Sequence, residues 1–242
     1  MPWNLFAFNQ LVSSTSDRKM ATHPIDIYYF PPSAPSRATL LLIKALGIDH
    51  NVKITNISQG DQMKPEFLQM NPLHTIPLIN DNGFIIYESN AIMKYLVDQY
   101  GKDDSLSPKD PKKAAIVDMR LYFCACHLFP KFRQYYIPTM FQSKPPSSEA
   151  LRELEEVLTI ADGYLKDQPW FAGHQMTVAD FAIVSFVATI DAAGGVDLAA
   201  YPEILQWYQR ARSSMAGFGY DEVIRHGAAI FAEAYKNKLN SI

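Results

Sequence analysis

A proline between two aliphatic residues most constrains what this chain can fold into. Pro77 lies between Ile76 and Leu78, in a stretch that would otherwise read as a strand. Proline has no N–H to give a β-ladder and its ring fixes φ, so Pro77 is expected to open a strand rather than lie within one. We hypothesise a cis Ile76–Pro77 bond that turns the backbone N–H and C=O of Ile76 outward, toward a peptide-like ligand.

A hairpin turn and a helix start follow this proline. Asp81-Asn82-Gly83 tolerates the positive φ of a tight turn, and the apolar run 84–87 supplies the return strand. Glu88 and Ser89 then precede residues with helical apolar spacing. Two interpretations stay open on spacing alone. Either Ser89 is an N-cap and Glu88 a favourable acid, worth about 1 kcal/mol together, or the carboxylate and the hydroxyl bind a ligand.

A strand, a polar turn and a helix are predicted upstream. Residues 25–30 form the strand-like run, residues 31–37 the turn, and residues 40–46 the helical pattern. Ser33 lies at the mouth of the turn, near the positive end of the following helix, and Pro35 is tolerated in the first turn. The Ser33 hydroxyl can meet an anion there, or it can merely cap the helix.

Together these segments resemble the cytosolic glutathione transferase superfamily, most closely its insect delta and epsilon classes. The resemblance covers nearly the whole chain from about residue 25 onward. Its motifs are Tyr28-Tyr29-Phe30, Ser33-Ala34-Pro35, Lys64-Pro65-Glu66-Phe67-Leu68, residues 71–77, Glu88-Ser89 and Thr177-Val178-Ala179-Asp180. It implies an α/β plus all-α fold: a thioredoxin-like, glutathione-binding N-terminal domain followed by an all-helical C-terminal domain (the GST fold).

The expected domain boundaries follow from this resemblance and from the turn formers and charges of residues 101–108. We expect a flexible extension at 1–22, a thioredoxin-like domain at 23–102, a linker at 103–110 and a helical domain at 111–242. Helical spacing predicts helices over 114–132, 149–165 and 178–190, the last of which is apolar enough to be the core. Thr177 and Asp180 form a capping-box-like start of that core helix and are assigned to folding.

The resemblance assigns the catalytic role to Ser33, whose hydroxyl would hydrogen-bond the sulfur of glutathione. A free thiol with a pKa of about 8.5 is only about 3% thiolate at pH 7, and the thiolate is the nucleophile. A donor that stabilises the sulfur anion therefore raises the reactive fraction. Ser33 is expected to donate to the anion and not to attack, so it needs no His/Asp relay.

The resemblance also assigns the residues that hold glutathione. The backbone of Ile76, next to the cis-proline Pro77, would pair with the cysteinyl part. Glu88 and Ser89 would hold the γ-glutamyl end, since a carboxylate can accept from the ammonium while a helix start binds a carboxylate. His74 would lie near the glycine end.

Two positions depart from the family pattern. Gln62 stands where many delta-class members carry a second histidine, and Asn90 stands where they often carry arginine. Both amides can still donate hydrogen bonds to glutathione, but each replacement removes a possible positive charge. We therefore expect weaker affinity for a tripeptide that bears two carboxylates.

An aromatic cluster in the helical half is the candidate pocket for the electrophile. Such clusters are common in protein cores, but the resemblance places this region over the sulfur site. The expected wall residues are Phe129, Phe132, Tyr136 and Phe141. Pockets of this type hold flat or aliphatic compounds through area and stacking, which predicts loose selectivity.

Composition excludes several other classes. The 242 residues are 48% hydrophobic and carry a net charge of −3, so no basic excess recruits nucleic acid or an anionic membrane. The two cysteines, Cys124 and Cys126, give no disulfide framework and favour a cytoplasmic location. Residues two apart on a helix point about 200° apart, so these cysteines cannot share a metal, and we expect no metal site.

The leading hypothesis is a homodimeric glutathione transferase that conjugates hydrophobic electrophiles in detoxification, with glutathione as co-substrate and no cofactor. A glutathione-dependent peroxidase or isomerase would use the same thiolate, and motifs do not separate it from conjugation. The rival from another class is a non-catalytic carrier of hydrophobic ligands. Ser33, Pro77, Glu88 and Ser89 argue against the carrier.

Overall fold

The first half of the fold is built on one mixed β-sheet. The computed structural model describes residues 23–242, so the expected extension at 1–22 lies outside the described residues. The strands are β1 (Ile25–Tyr29), β2 (His50–Ile54), β3 (Leu78–Asp81) and β4 (Phe84–Tyr87), in the order β2-β1-β3-β4. β1 pairs with β2 in parallel and with β3 antiparallel, and β3 pairs antiparallel with β4.

Helices of the first half pack on this sheet, and the second half consists of helices joined by loops. Those of the first half are α1 (Ala34–Leu46), α2 (Pro65–Met70) and α3 (Ser89–Tyr100). Those of the second half are α4 (Pro111–Phe123), α5 (Phe129–Gln142), α6 (Ser148–Leu165), α7 (Val178–Ala193), α8 (Pro202–Met215) and α9 (His226–Leu239). Several of them begin with proline in the first turn, where its missing N–H leaves no intrahelical bond unmade.

The predicted hairpin is present and is pinned to α3. Asn82 and Gly83 both have positive φ, at 51° and 91°. A two-residue hairpin turn requires positive φ at both positions, and asparagine and glycine tolerate it. The Asp81 carboxylate accepts hydrogen bonds from the Tyr95 and Tyr100 hydroxyls, each at 2.5 Å. This bond pair holds the tip of the hairpin against the helix that follows it.

The helix predicted over 114–132 is longer than expected and has a wide turn in its middle. It runs from Pro111 to Gln142, and Cys124–Leu128 form a π-helical turn between α4 and α5. Pro130 explains the wide turn, because its ring in a regular α-helix would clash with the carbonyl four residues earlier.

The core lies around α7, as its apolar sequence predicts. Almost every residue of α7 is buried, and its N-terminus carries the capping box of Thr177 and Asp180. The Asp180 carboxylate also accepts from the Phe171 N–H at 3.0 Å and the Trp207 Nε1–H at 2.9 Å. One buried side chain therefore joins the start of α7 to α8 and to the loop before α7.

The two halves are joined by a buried arginine on α1. Arg37 is fully buried and donates from Nη1 to the Ile224 carbonyl at 2.7 Å and from Nη2 to the Thr189 hydroxyl at 2.5 Å. Burial lowers the pKa of Arg37 to about 10. Gly227 allows this approach, since a Cβ there would lie 2.4 Å from the Arg37 Cδ.

Candidate active site

The candidate site residues lie in the segments that adjoin one end of the sheet. Tyr28 of β1 lies opposite Leu78 of β3, and Leu78 lies opposite Tyr87 of β4. Because these pairs are antiparallel, the end of β1, the start of β3 and the end of β4 coincide. The turn with Ser33, the loop that ends at Pro77, and the Glu88–Ser89 junction therefore gather at the same edge. The parallel β2 also ends there, ahead of the segment with Gln62.

Ser33 is the N-cap of α1, and its oxygen is the acceptor in both of its side-chain contacts. It accepts from the Ser36 backbone N–H at 3.4 Å and from the Ser36 hydroxyl at 3.0 Å. A serine hydroxyl has one proton besides its lone pairs, so an N-cap role leaves that proton for another partner. The structural and the functional interpretation of Ser33 are therefore compatible.

The loop of residues 71–77 is organised by a side chain whose role the sequence analysis missed. Asn71 is fully buried, and its Nδ2 donates at 3.0 Å to both the Thr75 carbonyl and the Thr75 hydroxyl. Its Oδ1 accepts from the Leu73 N–H at 3.0 Å. An asparagine ahead of a proline is a turn signal, and that signal was present in the sequence.

This loop presents His74 and Ile76 at its surface. His74 is exposed and has a φ of 47°. The Ile76–Pro77 bond is cis, as hypothesised. Among residues 23–242, the N–H and C=O of Ile76 pair with no protein group, which leaves both for a ligand.

The structure differs in detail from the interpretation of Ser89 as an N-cap with Glu88 as a favourable acid. The helix α3 begins at Ser89, so its N-cap is Glu88 and not Ser89, and Glu88 makes no side-chain capping bond. Glu88 has a φ of 70°, a conformation that non-glycine residues adopt at a cost of order 1–3 kcal/mol and that clusters at binding sites. Glu88 is exposed, and within the described chain neither its carboxylate nor the Ser89 hydroxyl has a hydrogen-bond partner.

The two departures from the family pattern have different surroundings. The Gln62 amide oxygen is buried and lacks a hydrogen-bond partner among the described residues. The Asn90 Nδ2 is engaged elsewhere, since it donates to the Leu121 carbonyl at 2.7 Å and so joins α3 to α4.

The four candidate pocket aromatics do not form one wall. Phe132 and Tyr136 are buried in an aromatic cluster, with ring centroids 4.9 Å apart, and both contact Phe231 of α9. Phe129 is half-buried against Phe186 of α7. Only Phe141 of the four is exposed.

A pocket adjoins Phe141 and draws on segments far apart in the chain. It is an open depression with a volume of about 570 Å³. It is lined by Ser58, Met140, Phe141, Ala234, Asn237, Lys238 and Ser241. The residues from the end of α9 carried no local sequence signal, because only the fold brings them to α5.

The two cysteines of residues 23–242 form no metal site. Cys124 is buried and Cys126 is exposed, and no group of three or more potential metal ligands occurs in this part of the chain. None of the described helices combines the length and apolarity that a bilayer span requires.

Comparison with known proteins agrees with this geometry. The pattern of the glutathione S-transferase N-terminal domain matches residues 23–98, and that of the C-terminal domain matches residues 123–214. A delta-class glutathione transferase of Nilaparvata lugens is 45% identical, with a TM-score of 0.84 over 89% of this chain and 100% of that one. The chain belongs to the glutathione S-transferase family. The fold predicted for such a transferase, thioredoxin-like and then all-helical, is confirmed.

Two further structures place the transferase among its insect relatives. An epsilon-class enzyme of the housefly Musca domestica is 35% identical, with a TM-score of 0.83 over 88% of this chain and 98% of that one. A glutathione transferase homologue of Drosophila mojavensis, solved with bound glutathione, is 35% identical, with a TM-score of 0.82 over 89% and 97%. The predicted delta- and epsilon-like class and the predicted transferase activity, with glutathione as co-substrate, are thereby confirmed.

Proposed function

We propose that this glutathione transferase conjugates glutathione to hydrophobic electrophiles and that Ser33 stabilises the attacking thiolate. The convergence of three strand ends carries the proposal, because it gathers a hydroxyl, unpaired backbone groups and a carboxylate at one edge of the sheet. The starts of α1 and α3 point two sets of backbone N–H groups and two positive helix ends at that edge. This is a suitable environment for a peptide that carries carboxylates and a thiolate.

The energy required of Ser33 is modest. Lowering the pKa of the bound thiol by two units takes roughly 2.7 kcal/mol. A hydrogen bond to a charged acceptor contributes about 1.5–3 kcal/mol, and a helix N-terminus about 0.3–1 kcal/mol. Ser33 at the start of α1 can supply both without transferring a proton.

The proposed contacts to glutathione follow the chemistry of its parts. The Ile76 N–H and C=O pair with the cysteinyl backbone, which their lack of a protein partner within residues 23–242 supports. Glu88 accepts from the γ-glutamyl ammonium, and Ser89 with the N-terminus of α3 binds the adjacent carboxylate. His74 and Gln62 serve the glycine end. Asn90 contributes least to glutathione binding, since its Nδ2 already donates to the Leu121 carbonyl.

The proposed acceptor pocket is the cavity beside Phe141. Met140, Phe141 and Ala234 give it an apolar wall, while Asn237 and Lys238 make its rim polar. Phe129, Phe132 and Tyr136 then act behind this wall, where they fix α5 against α7 and α9. Burial of apolar area in such a pocket favours varied aromatic and aliphatic electrophiles, which suits detoxification.

The proposed assembly is a cytoplasmic homodimer with domains at 23–102 and 111–242, joined by a linker at 103–110. The interval between α3 and α4 supports the linker, and the two unpaired cysteines suit a reducing compartment. Exposed apolar side chains on β4 and α4 support a partner subunit; they are Phe84, Ile85, Ile116, Met119 and Tyr122.

The deciding experiment compares wild type with Ser33→Ala in conjugation of glutathione to an aryl halide, with glutathione binding followed by calorimetry. We expect turnover to fall at least about tenfold in the variant, equivalent to about 1.4 kcal/mol, while binding survives. Unchanged turnover would remove Ser33 from the mechanism. Binding without turnover in the wild type would favour the carrier, and faster reduction of a hydroperoxide than conjugation would favour the peroxidase.

A further inference from the structure

Two hydroxyls lie within hydrogen-bond distance at the start of α1. Ser33 is half-buried at the N-cap, and Ser36, three residues on, is fully buried. The Ser36 hydroxyl donates to the Ser33 Oγ at 3.0 Å. A serine within a helix commonly donates to a backbone carbonyl of the preceding turn, but this one donates to another side chain.

This contact changes what the Ser33 hydroxyl can do. A hydroxyl oxygen has two lone pairs and one proton. Both hydrogen bonds that the Ser33 oxygen accepts come from Ser36, one from its N–H and one from its hydroxyl. Within residues 23–242 the Ser33 hydroxyl donates to no protein group, so its proton is the part left for a ligand.

We propose that Ser36 is a positioning residue that directs the Ser33 proton to the glutathione sulfur. The inference rests on the proposed role of Ser33 and adds a second hydroxyl to it. In the chain Ser36 to Ser33 to thiolate, each hydrogen bond polarises the next, because the chain ends on an anion. Both serine protons stay on their oxygens, and the thiol proton is lost to solvent when the thiolate forms.

The effect should appear in the ionisation of the bound thiol. Without the Ser36 hydroxyl, the Ser33 hydroxyl is free to rotate and is less polarised, so it donates less effectively. We expect Ser36→Ala to raise the pKa of bound glutathione by about half a unit to one unit. At a pH about one unit below the wild-type pKa of the bound thiol, kcat should fall about three- to tenfold with little change in the KM for glutathione, and it should recover at a pH above the raised pKa.

The test is a pH titration of the thiolate absorbance of glutathione bound at saturation, with a pH profile of kcat. The variants are Ser36→Ala, Ser36→Thr, Ser36→Cys and Ser33→Ala. Threonine keeps the hydroxyl and should restore the wild-type pKa. Cysteine is similar in size to serine but is a weak donor, so Ser36→Cys should give an intermediate thiol pKa. This variant keeps the test decisive if the Ser36→Thr protein does not fold.

Thr39→Val is the matched control. Thr39 is also buried on α1, and its hydroxyl donates to the Pro35 carbonyl at 3.1 Å, away from Ser33. Its isosteric replacement disturbs the helix without touching the Ser33 contact, so the thiol pKa should not move. An equal pKa shift in this variant would show a general effect of α1 and would overturn the inference.

The Ser36→Ala and Ser33→Ala variants also distinguish the role of Ser36 from the proposed role of Ser33. A normal thiol pKa in Ser36→Ala, with a raised one in Ser33→Ala, overturns the role of Ser36 and leaves that of Ser33 intact. A normal thiol pKa in both variants overturns the role of Ser33 as well. Loss of kcat in Ser36→Ala at every pH, without a pKa shift, would make Ser36 structural only.

Discussion

At the scale of single residues, the two cysteines show how a helix gives neighbouring side chains opposite properties. Cys124 and Cys126 share one π-helical turn, but Cys124 packs in the core while Cys126 faces solvent. Burial disfavours the thiolate and raises the pKa of Cys124 to about 12. Of the two thiols, only that of Cys126 is therefore accessible to a reagent in the folded protein.

A thiol-labelling experiment tests this difference. At about pH 8, we expect a maleimide to modify one thiol per chain rapidly, and the second only after denaturation. Cys126→Ser should abolish the fast phase, and Cys124→Ser should leave it intact. Two fast phases in the native wild type would contradict the burial of Cys124.

The raised pKa of Cys124 also has a stability consequence with a definite sign. Folded Cys124 keeps its proton up to about pH 12, whereas an unfolded cysteine loses it near about pH 8.5. The contribution to the free energy of unfolding is complete below the lower value and is lost as the pH rises toward the upper one. We expect Cys124→Ser to unfold with a shallower loss of stability above about pH 9, as measured by urea titrations at several pH values.

At the scale of elements, the start of α7 depends on one buried carboxylate. Asp180 accepts from the Thr177 N–H at 2.8 Å and the Thr177 hydroxyl at 3.2 Å, besides Phe171 and Trp207. Every group that faces this carboxylate is a donor. An amide in its place would turn an NH₂ toward at least one of them.

We therefore expect Asp180→Asn to lower the free energy of unfolding by roughly 2–4 kcal/mol, because it leaves buried donors unpaired. The measurement is a urea or thermal unfolding curve of each purified protein. Asp110→Ala is the control, since Asp110 caps α4 at the surface and its loss should cost about 1 kcal/mol. Equal losses in the two variants would mean that burial adds nothing to the cap.

Local patterns predicted the elements well where the signal is local. The Asn82-Gly83 turn, the strand opened by Pro77 and the capping box of Thr177 depend on residues a few positions apart. The wide turn at Cys124–Leu128 was missed, although Pro130 is its physical cause. Helical periodicity records which residues are apolar but not how a helix adapts around a proline.

Contacts between distant segments explain the rest of what the sequence did not predict. Arg37 bonds to Ile224, 187 positions away, and the cavity beside Phe141 is completed by the end of α9. Phe132 and Tyr136 were placed in the pocket because apolar character does not tell a core wall from a cavity wall. The proposed glutathione-site residues came from their motif, whereas no motif indicated the contacts that the buried Asn71 and Ser36 make with the same segments.

At the scale of the whole molecule, the surface has an apolar stripe that suits a second subunit. Ile116, Met119 and Tyr122 recur every three residues on α4, and Tyr122 is 69% exposed. Asn90 joins the start of α3 to the end of this helix, next to the exposed β4. Covering such a patch removes apolar area from water.

We expect Tyr122→Glu to shift the protein from dimer to monomer, because a carboxylate on this stripe would be desolvated in the interface. Sedimentation at several concentrations measures the change. Ile54→Glu is the matched control, since Ile54 is a 61% exposed apolar residue on β2, at the edge of the sheet opposite β4. A monomeric wild type, or equal effects of both changes, would contradict the proposed surface.

Because the candidate site lies where strand ends coincide, ligand binding also indicates whether the strands of the sheet are paired in the correct register. A shift of β3 by one residue against β1 would turn its side chains to the opposite faces of the sheet and displace Ile76, two residues before β3, along the end of β1. Molecules with such a sheet would lose the proposed tripeptide site, however compact they were. Immobilised glutathione should therefore sort freshly refolded chains, retaining those whose strands are paired correctly and releasing the misaligned ones.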